Sequence, residues 1–177
     1  MLFSPFFPCT LLIHFSHQSF LFPHHHSILH NSYPWIQVCW SEINREVIRC
    51  ANIDPHSRGK VVKKDIVSSG LIKPEGLACD WVNNMIYWTD SDTKRIEVAG
   101  LTGLDRDRTV LVWQDLDMPR ALSVDPLSGY MFWTDWGEYP KIERCGMNGD
   151  PGTRKILVDN DLVWPNGLSL DNEKKRV

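Results

Sequence analysis

The first 35 residues of the 177-residue chain contain no Asp, Glu, Lys or Arg. All 19 basic and 22 acidic side chains therefore fall in residues 36–177, where they give a net charge of −3 with no cluster of basic residues. Nucleic-acid binders and membrane-surface binders carry such clusters. We therefore expect neither nucleic acid nor a lipid surface as a partner.

The uncharged leader, residues 1–35, also lacks the features of a targeting or membrane segment. Prolines and histidines interrupt its apolar stretch, which is too broken for a membrane span of about 20 apolar residues. It has neither a basic start nor a small-residue cleavage site, which disfavours a signal sequence, even a degenerate one. A disordered tail or a false gene start is the preferred interpretation. The run His24–His26 has no Cys or carboxylate beside it and is not expected to bind metal.

Cysteine is sparse. The five Cys residues include no CxxC pair, and the chain has no Asn-x-Ser/Thr sequon. No zinc site is therefore indicated. Cys39 and Cys50 flank a predicted hairpin, which leaves a disulfide open, whereas Cys79 and Cys145 occupy strand positions typical of small buried hydrophobes.

Two further absences narrow the fold and the function. No stretch shows sustained helical periodicity, which favours an all-β domain. The sequence has no GxSxG or HExxH motif and no Cys/His pairing, so the common signatures of hydrolases are missing.

What the sequence does have is a repeat with a period of about 45 residues. Its two full copies are the tetrapeptides Tyr87, Trp88, Thr89, Asp90 and Phe132, Trp133, Thr134, Asp135. A lead-in of the form Gly-Leu-Ala-x-Asp precedes each copy, at Gly76–Asp80 and Ala121–Asp125, and occurs a third time at Gly167–Asp171. Cys39–Glu42 looks like a worn copy of the tetrapeptide.

Each unit contains four short runs of β-branched or aromatic residues separated by turn formers such as Asn83-Asn84 and Ser128-Gly129. Four strands per unit, repeated at this period, predict the blades of a β-propeller.

The tetrapeptide is predicted to be scaffold. Strand alternation places Tyr87 and Thr89 on one face and Trp88 and Asp90 on the other, as a blade packed on both sides requires. The strand-end Asp90 and Asp135 can accept backbone N–H groups of the following turn. A metal site made by Asp90 and Asp92 is the weaker alternative.

These repeats resemble the YWTD propeller domains of the low-density-lipoprotein-receptor superfamily. The resemblance covers about residues 36–177 and rests on two strings, Gly76–Val98 and Pro119–Arg144, followed by Trp164–Leu168. It is strongest to the first propeller of the Wnt co-receptor branch of the receptor-related proteins.

The resemblance implies a partial six-bladed propeller of about three blades' worth, in a fragment or a truncated gene model. Because an incomplete propeller leaves open edges, we expect the isolated chain to be unstable or to aggregate.

Strand order predicts which loops share a face. In an up-and-down blade, the connection into the first strand and the turn between the second and third strands open on the same side. Acids, one Arg, Asn and Trp concentrate there, a composition enriched at recognition sites. The resemblance implies which residues of this face bind a ligand: Glu46, Glu75, Asp92, Arg120, Trp136, Trp164 and Asn166. The alternative for Trp136 and Trp164 is that they pack between blades.

The resemblance implies roles for these positions. The partners would be secreted proteins, either Wnt proteins or Dickkopf- or sclerostin-like antagonists that carry an Asn-x-Ile peptide. Asn166 would bond the ligand Asn, Trp136 and Trp164 would supply apolar contact, and Arg120 with the acids would set charge complementarity. The full-length parent would lie at the extracellular face of the plasma membrane, held by a transmembrane segment that this sequence does not contain.

Two other functions compete with a binding module. A structural or ligand-release propeller of the LDL-receptor or nidogen type would use the same fold. A metal-dependent propeller hydrolase would need carboxylates converging on the central channel, where the fixed positive charge of Arg120 opposes a divalent metal. We therefore expect no enzyme activity, no cofactor and no bound metal.

Overall fold

A computed structural model describes residues 11–15, 36–53, 61–101 and 107–171, with the backbone alone for residues 11–15, Ile36 and Ile53. These residues form twelve strands in three antiparallel sheets of four, each in up-and-down order, which we call blades 1, 2 and 3. Blade 1 contains β1 (Leu11–Phe15), β2 (Ile36–Glu42), β3 (Val47–Ile53) and β4 (Val62–Val67). Blade 2 contains β5 (Pro74–Asp80), β6 (Met85–Asp90), β7 (Arg95–Gly100) and β8 (Thr109–Val112). Blade 3 contains β9 (Pro119–Asp125), β10 (Tyr130–Asp135), β11 (Lys141–Gly146) and β12 (Lys155–Val158).

The prediction of an all-β partial propeller with three blades' worth of sequence is confirmed. Two short 3-10 turns, Ile43–Arg45 and Pro151–Thr153, complete the described elements. The described part of the chain contains no helix that is long and apolar enough to cross a membrane.

Blade 1 differs from the sequence prediction at its first strand. The leader was expected to lie outside the blades, but Leu11–Phe15 pairs antiparallel with Ile36–Trp40. Its sequence, Leu-Leu-Ile-His-Phe, is rich in strand-forming residues, so the pairing agrees with local propensity. The rest of the leader lies outside the described residues, so its expected disorder stays a prediction.

Blade 2 is packed on both faces, as the alternation of its tetrapeptide predicts. Tyr87 belongs to a core cluster that it shares with Leu122, Met131 and Trp133 of blade 3. The next residue, Trp88, is fully buried in a second cluster with Ile48 of blade 1. Successive residues of one strand thus join two different inter-blade cores.

The polar half of the tetrapeptide ties loops to the blade. Asp90 accepts N–H groups from Asp92 and Thr93 in the following turn, as expected, and also from Ile72 and Lys73 in the loop that leads into β5. Asp135 repeats this arrangement in blade 3. Both carboxylates are buried, so each gives a loop of otherwise unpaired donors a charged acceptor.

Gly76 of blade 2 lies against the backbone of blade 3. Its N–H donates to Thr89 Oγ1 at 2.8 Å, and the Thr89 hydroxyl donates to the carbonyl oxygen of Arg120 in blade 3. A Cβ at Gly76 would stand 2.1 Å from that carbonyl oxygen. Residue 76 is therefore glycine because the Arg120 backbone occupies the space that a side chain would need.

A buried Glu–Arg pair repeats in blades 2 and 3. Glu97 receives two hydrogen bonds from Arg108, at 2.6 and 2.8 Å, and Glu143 receives two from Arg154, at 2.9 and 2.8 Å. Each Arg also lies over the buried Trp of its own tetrapeptide and donates to carbonyl groups of the loop that follows the preceding blade. These pairs fasten each blade to its predecessor.

Blade 1 carries this pair with reversed charge. Arg49 faces Trp40 in register, at the position that corresponds to Glu97 and Glu143, and it pairs with Asp65 of β4 and Glu42. Among the described residues, the ion pairs of Arg49 lie within blade 1 and do not connect it to another blade.

Cys39 and Cys50 face each other on β2 and β3 and form a disulfide, which decides the alternative that the sequence left open. Cys79 and Cys145 are unpaired and buried, as predicted. Burial, reinforced by the neighbouring Asp80, raises the pKa of the Cys79 thiol to about 12.

The outer strand of blade 2 is covered by the blade that follows it, whereas the outer strand of blade 3 has no following blade among the described residues. Leu111 and Val112 of β8 are buried, whereas Leu157 and Val158 at the corresponding places of β12 are exposed. Instability or aggregation of the isolated chain stays a prediction, to which these exposed apolar residues lend support.

Candidate functional site

The antiparallel order brings one end of every blade to a common edge, here called the top edge. It carries the loops into β5 and β9 and the turns after β6 and β10. Five of the seven predicted ligand residues meet there in one contiguous group, which we call the top patch: Glu75, Arg120, Trp136, Trp164 and Asn166.

A hydrogen-bond chain runs through the top patch from blade to blade. Arg120 Nε and Nη2 donate to the two carboxylate oxygens of Glu75 at 3.0 and 2.8 Å. Arg120 Nη1 donates to Asn166 Oδ1 at 2.6 Å. The three residues hold the same position in successive repeats. Since the side chains of Arg120 and Glu75 are only 14% and 11% exposed, this is a largely desolvated bidentate pair.

Two tryptophans cover the chain from one side. The Arg120 guanidinium lies 3.9 Å from the centroid of the Trp136 ring, a close cation–π contact. The Trp136 and Trp164 rings meet edge to face at 6.4 Å with an interplanar angle of 80°. Trp136 is half-buried and its Nε1 has no hydrogen-bond partner in the part of the chain that the structure describes, whereas Trp164 is 70% exposed. Packing between blades, the alternative for both tryptophans, thus agrees in part with the half-buried Trp136 and does not agree with the exposure of Trp164 among the described residues.

Asn166 has a defined orientation. Because Oδ1 accepts from a cation, the amide Nδ2 is the group turned away from Arg120, and it has no partner among the described residues. An exposed amide donor beside an exposed indole can bind a carbonyl group and an adjacent apolar side chain.

The other two predicted residues lie apart from the top patch. Glu46, with a left-handed backbone of φ 52°, ends the 3-10 turn after β2, and Asp92 lies in the turn after β6. Both are exposed, and the hydrogen bonds and ring contacts that join the five patch residues do not include them.

A shallow acidic cavity of about 340 Å³ lies beside the patch. The strand pattern did not predict its central residue, Asp117. A hydrogen bond from the Glu138 backbone N–H, followed by one from Lys94, lowers the pKa of the Asp117 carboxyl. Tyr139, 78% exposed, stands at the rim of this cavity. Asp117 lies just before the first strand of blade 3, and the alternation of side chains within strands makes no prediction for a residue outside them.

The metal alternative at Asp90 and Asp92 lacks a suitable ligand set. Both oxygens of Asp90 already accept backbone N–H groups. Within the described ranges, no three His, Cys, Asp or Glu side chains are grouped so that they could hold a metal ion.

The repeat pattern matches a known family. Residues 84–126 and 129–172 match the low-density lipoprotein receptor repeat class B. The chain contains class B repeats. The first matched repeat starts just before β6, the second strand of blade 2, and ends just beyond β9, the first strand of blade 3. The second match starts just before β10, so the sequence repeat is offset from the blade by one strand.

Named relatives with class B repeats share about half of the residues compared. The chain is 52% identical over 103 residues to mouse low-density lipoprotein receptor-related protein 5, and 53% identical over 101 residues to the human protein. These matches cover 58% and 57% of this chain but only 6% of each receptor. The chain thus matches a small part of the curated relatives' length.

The class B repeats also match solved propeller structures. A crystal structure of a nidogen–laminin complex contains a chain that is 36% identical, with a TM-score of 0.67. The match covers 78% of this chain and 49% of that one.

Proposed function

We propose that the top patch binds an extended peptide segment of a secreted protein, as part of a receptor propeller of the Wnt co-receptor type. The observation that carries this proposal is the exposed Trp164 indole beside the unpaired Nδ2 of Asn166. Aromatic side chains of this kind dominate binding energy at protein interfaces. The similarity to receptor-related protein 5 supports the receptor assignment.

The geometry favours a ligand that pairs a side-chain amide with an apolar residue. The ligand amide oxygen would accept from Asn166 Nδ2, and the apolar side chain would lie against Trp164. An Asn-x-Ile peptide, as in Dickkopf- or sclerostin-like antagonists, has this composition, because residues i and i+2 of an extended chain point to the same side. Wnt proteins would be further partners of the full-length parent.

Arg120 has a different role from the one expected from its charge. Because Glu75 neutralises it and Asn166 and Trp136 surround it, Arg120 orients the patch instead of presenting a free cation. Glu46, Asp92 and Glu138 are exposed carboxylates at the top edge. We propose that they steer a basic ligand towards the patch and raise its association rate.

A peptide-binding measurement tests the proposal. Calorimetric titration with an Asn-x-Ile peptide should show binding that Trp164→Ala weakens by about 2 kcal/mol, roughly thirtyfold. Asn166→Ala should weaken it by about 1 kcal/mol, the contribution of one hydrogen bond. Trp81→Ala is the matched control, because Trp81 is a 44% exposed Trp in the turn between β5 and β6, at the opposite edge. Equal affinity of all three variants and the parent chain would refute the assignment of the patch.

The nidogen-like alternative has one specific observation in its favour, the 36% identity to a chain of the nidogen–laminin complex. Under this alternative the propeller assembles with a matrix protein. Binding of a laminin fragment that Trp164→Ala abolishes, together with no response to the peptide, would favour it over the first proposal.

We propose an extracellular location for the domain. The buried Cys39–Cys50 disulfide is typical of an oxidising compartment, and the receptor relatives agree with it. A catalytic role is not favoured, because the cation of Arg120 lies within the group where channel carboxylates would have to converge.

A further inference from the structure

Two Asn-Gly dipeptides occur in the chain, and the structure places them in opposite environments. Asn166-Gly167 belongs to the top patch, and Asn148-Gly149 lies in the turn after β11. Asn-Gly is the dipeptide most prone to deamidation, because glycine leaves its own backbone nitrogen unshielded and allows the backbone to adopt the required conformation. The two copies therefore form an internal comparison.

At Asn166-Gly167 the attacking group is accessible. Both residues are exposed and lie in a segment without regular secondary structure. Apart from its two chain neighbours, no described residue has an atom within 4 Å of the place that a Gly167 Cβ would occupy. Among the described residues, none accepts a hydrogen bond from the Gly167 N–H. This nitrogen can therefore approach the side chain of Asn166.

The group under attack is also activated. Arg120 Nη1 donates to Asn166 Oδ1 at 2.6 Å. A cationic donor on this oxygen withdraws electrons from Cγ and stabilises the negative charge that develops on the oxygen during attack. Glu75 holds the guanidinium in place from the other side, so the donor is fixed before the reaction begins.

Asn148-Gly149 lacks both features. The Gly149 N–H donates to the Gly146 carbonyl oxygen at 2.9 Å, and its φ of +75° holds it in a turn packed against Leu111. Among the described residues, the neutral N–H of Asp150 is the donor to Asn148 Oδ1, at 3.1 Å. The Gly149 nitrogen is thus already hydrogen-bonded, and the side-chain carbonyl oxygen of Asn148 has no cationic donor among the described residues.

We propose that Asn166-Gly167 is a deamidation site, activated by Arg120, that converts the amide of the top patch to a carboxylate. The Gly167 nitrogen attacks Asn166 Cγ, and a bond forms between them. The Cγ–Nδ2 bond then breaks, and Nδ2 leaves as ammonia with the proton from the Gly167 nitrogen. Solvent water opens the resulting succinimide to an aspartyl or an isoaspartyl residue.

This modification changes what the patch can bind. The Nδ2 donor is lost, and the new carboxylate forms an ion pair with Arg120 in its place. If the proposed function holds, a ligand that offers a carbonyl oxygen to Asn166 loses its partner as the protein ages. Deamidation at the patch then acts as a chemical timer that depends on time and pH and needs no enzyme.

The experiment follows both sites in the same sample of the full chain. The protein is incubated without ligand in mildly alkaline buffer, and peptide mapping by mass spectrometry measures deamidation at each Asn-Gly. An isoaspartyl methyltransferase assay reports the isomerised product. Asn166 should react roughly tenfold faster than Asn148, a small part of the effect that an oxyanion donor has in an enzyme. Equal rates would overturn the proposal.

Two variants separate the causes. Gly167→Ala should slow deamidation at Asn166 by about tenfold, because the methyl group shields the nitrogen while no neighbouring atom opposes it in the fold. An unchanged rate would overturn the proposal. Arg120→Leu should slow the same reaction severalfold, with Asn148 as the internal reporter of folding. If Asn148 stays protected and Asn166 reacts as before, activation by Arg120 is wrong.

The binding consequence is measured separately with Asn166→Asp. This variant should lose affinity for an Asn-x-Ile peptide. Rapid deamidation together with full affinity of Asn166→Asp would refute the proposed function and leave the deamidation site intact.

Discussion

Replacing Asp90 with alanine removes one buried acceptor from four backbone N–H groups. Two of these donors lie in the turn after β6, where Asp92 is exposed and water can replace the carboxylate. The other two, from Ile72 and Lys73, hold the loop that connects blade 1 to blade 2. A hydrogen bond to a charged group contributes about 1.5–3 kcal/mol, so the two loop bonds together contribute about 4 kcal/mol.

A graded series tests this estimate. Asp90→Asn keeps Oδ1 for the turn but places an NH2 group where Oδ2 accepts from Ile72, so it should lower the free energy of unfolding by about 2 kcal/mol. Asp92→Ala, the exposed neighbour, should change it by less than about 0.5 kcal/mol. Urea denaturation followed by tryptophan fluorescence measures the series. Since an incomplete propeller is expected to be marginally stable, Asp90→Ala should be unfolded in buffer. A folded Asp90→Ala protein as stable as Asp92→Ala would refute the reasoning.

Three further predictions follow from particular contacts. Gly76→Ala should prevent folding or cost at least about 3 kcal/mol, because its Cβ meets the backbone of blade 3, whereas Gly167→Ala should be neutral in the same denaturation assay. The depressed pKa of Asp117 predicts a stability contribution that is present above the ordinary value of 3.8 and lost as the pH falls through the lower folded value; Asp117→Asn should flatten stability-versus-pH curves in that range, and an identical slope would contradict this. Cys79, whose pKa is raised to about 12, should resist iodoacetamide at neutral pH until the protein is denatured; rapid labelling of the folded protein would show that it is not buried.

The sequence predicted those features of the fold that depend on local periodicity. Tyr87 and Trp88 alternate in the strand and therefore pack on opposite faces, which the two core clusters confirm. The acceptor role of Asp90 towards the following turn also follows from local chemistry. Its bonds to Ile72 and Lys73 do not, because the donors belong to a loop whose position depends on the packing of blades.

The top patch shows the same limit. Strand order alone places Glu75, Arg120 and Asn166 at one edge. Their direct hydrogen bonds depend on the distance between neighbouring blades, which no pattern within one strand specifies. From the sequence, Arg120 was expected to set charge complementarity, and the neutralised pair with Glu75 that the structure has was not predicted. The strand Leu11–Phe15 was missed for a related reason, since its partner is separated from it by the remainder of the leader.

The reversed pair in blade 1 has a consequence for protein engineering. Blades 2 and 3 have the same Glu–Arg pair, and in both the arginine donates to the loop that follows the preceding blade. A tandem array built from their sequences would therefore keep this contact at every junction. A copy of blade 1 inserted into such an array would place the Arg49–Asp65 pair where blades 2 and 3 have their Glu–Arg pair. It would therefore lack the arginine that donates to the loop after the preceding blade. The blades are therefore not interchangeable in such an array, because blade 1 carries the opposite charge at this position.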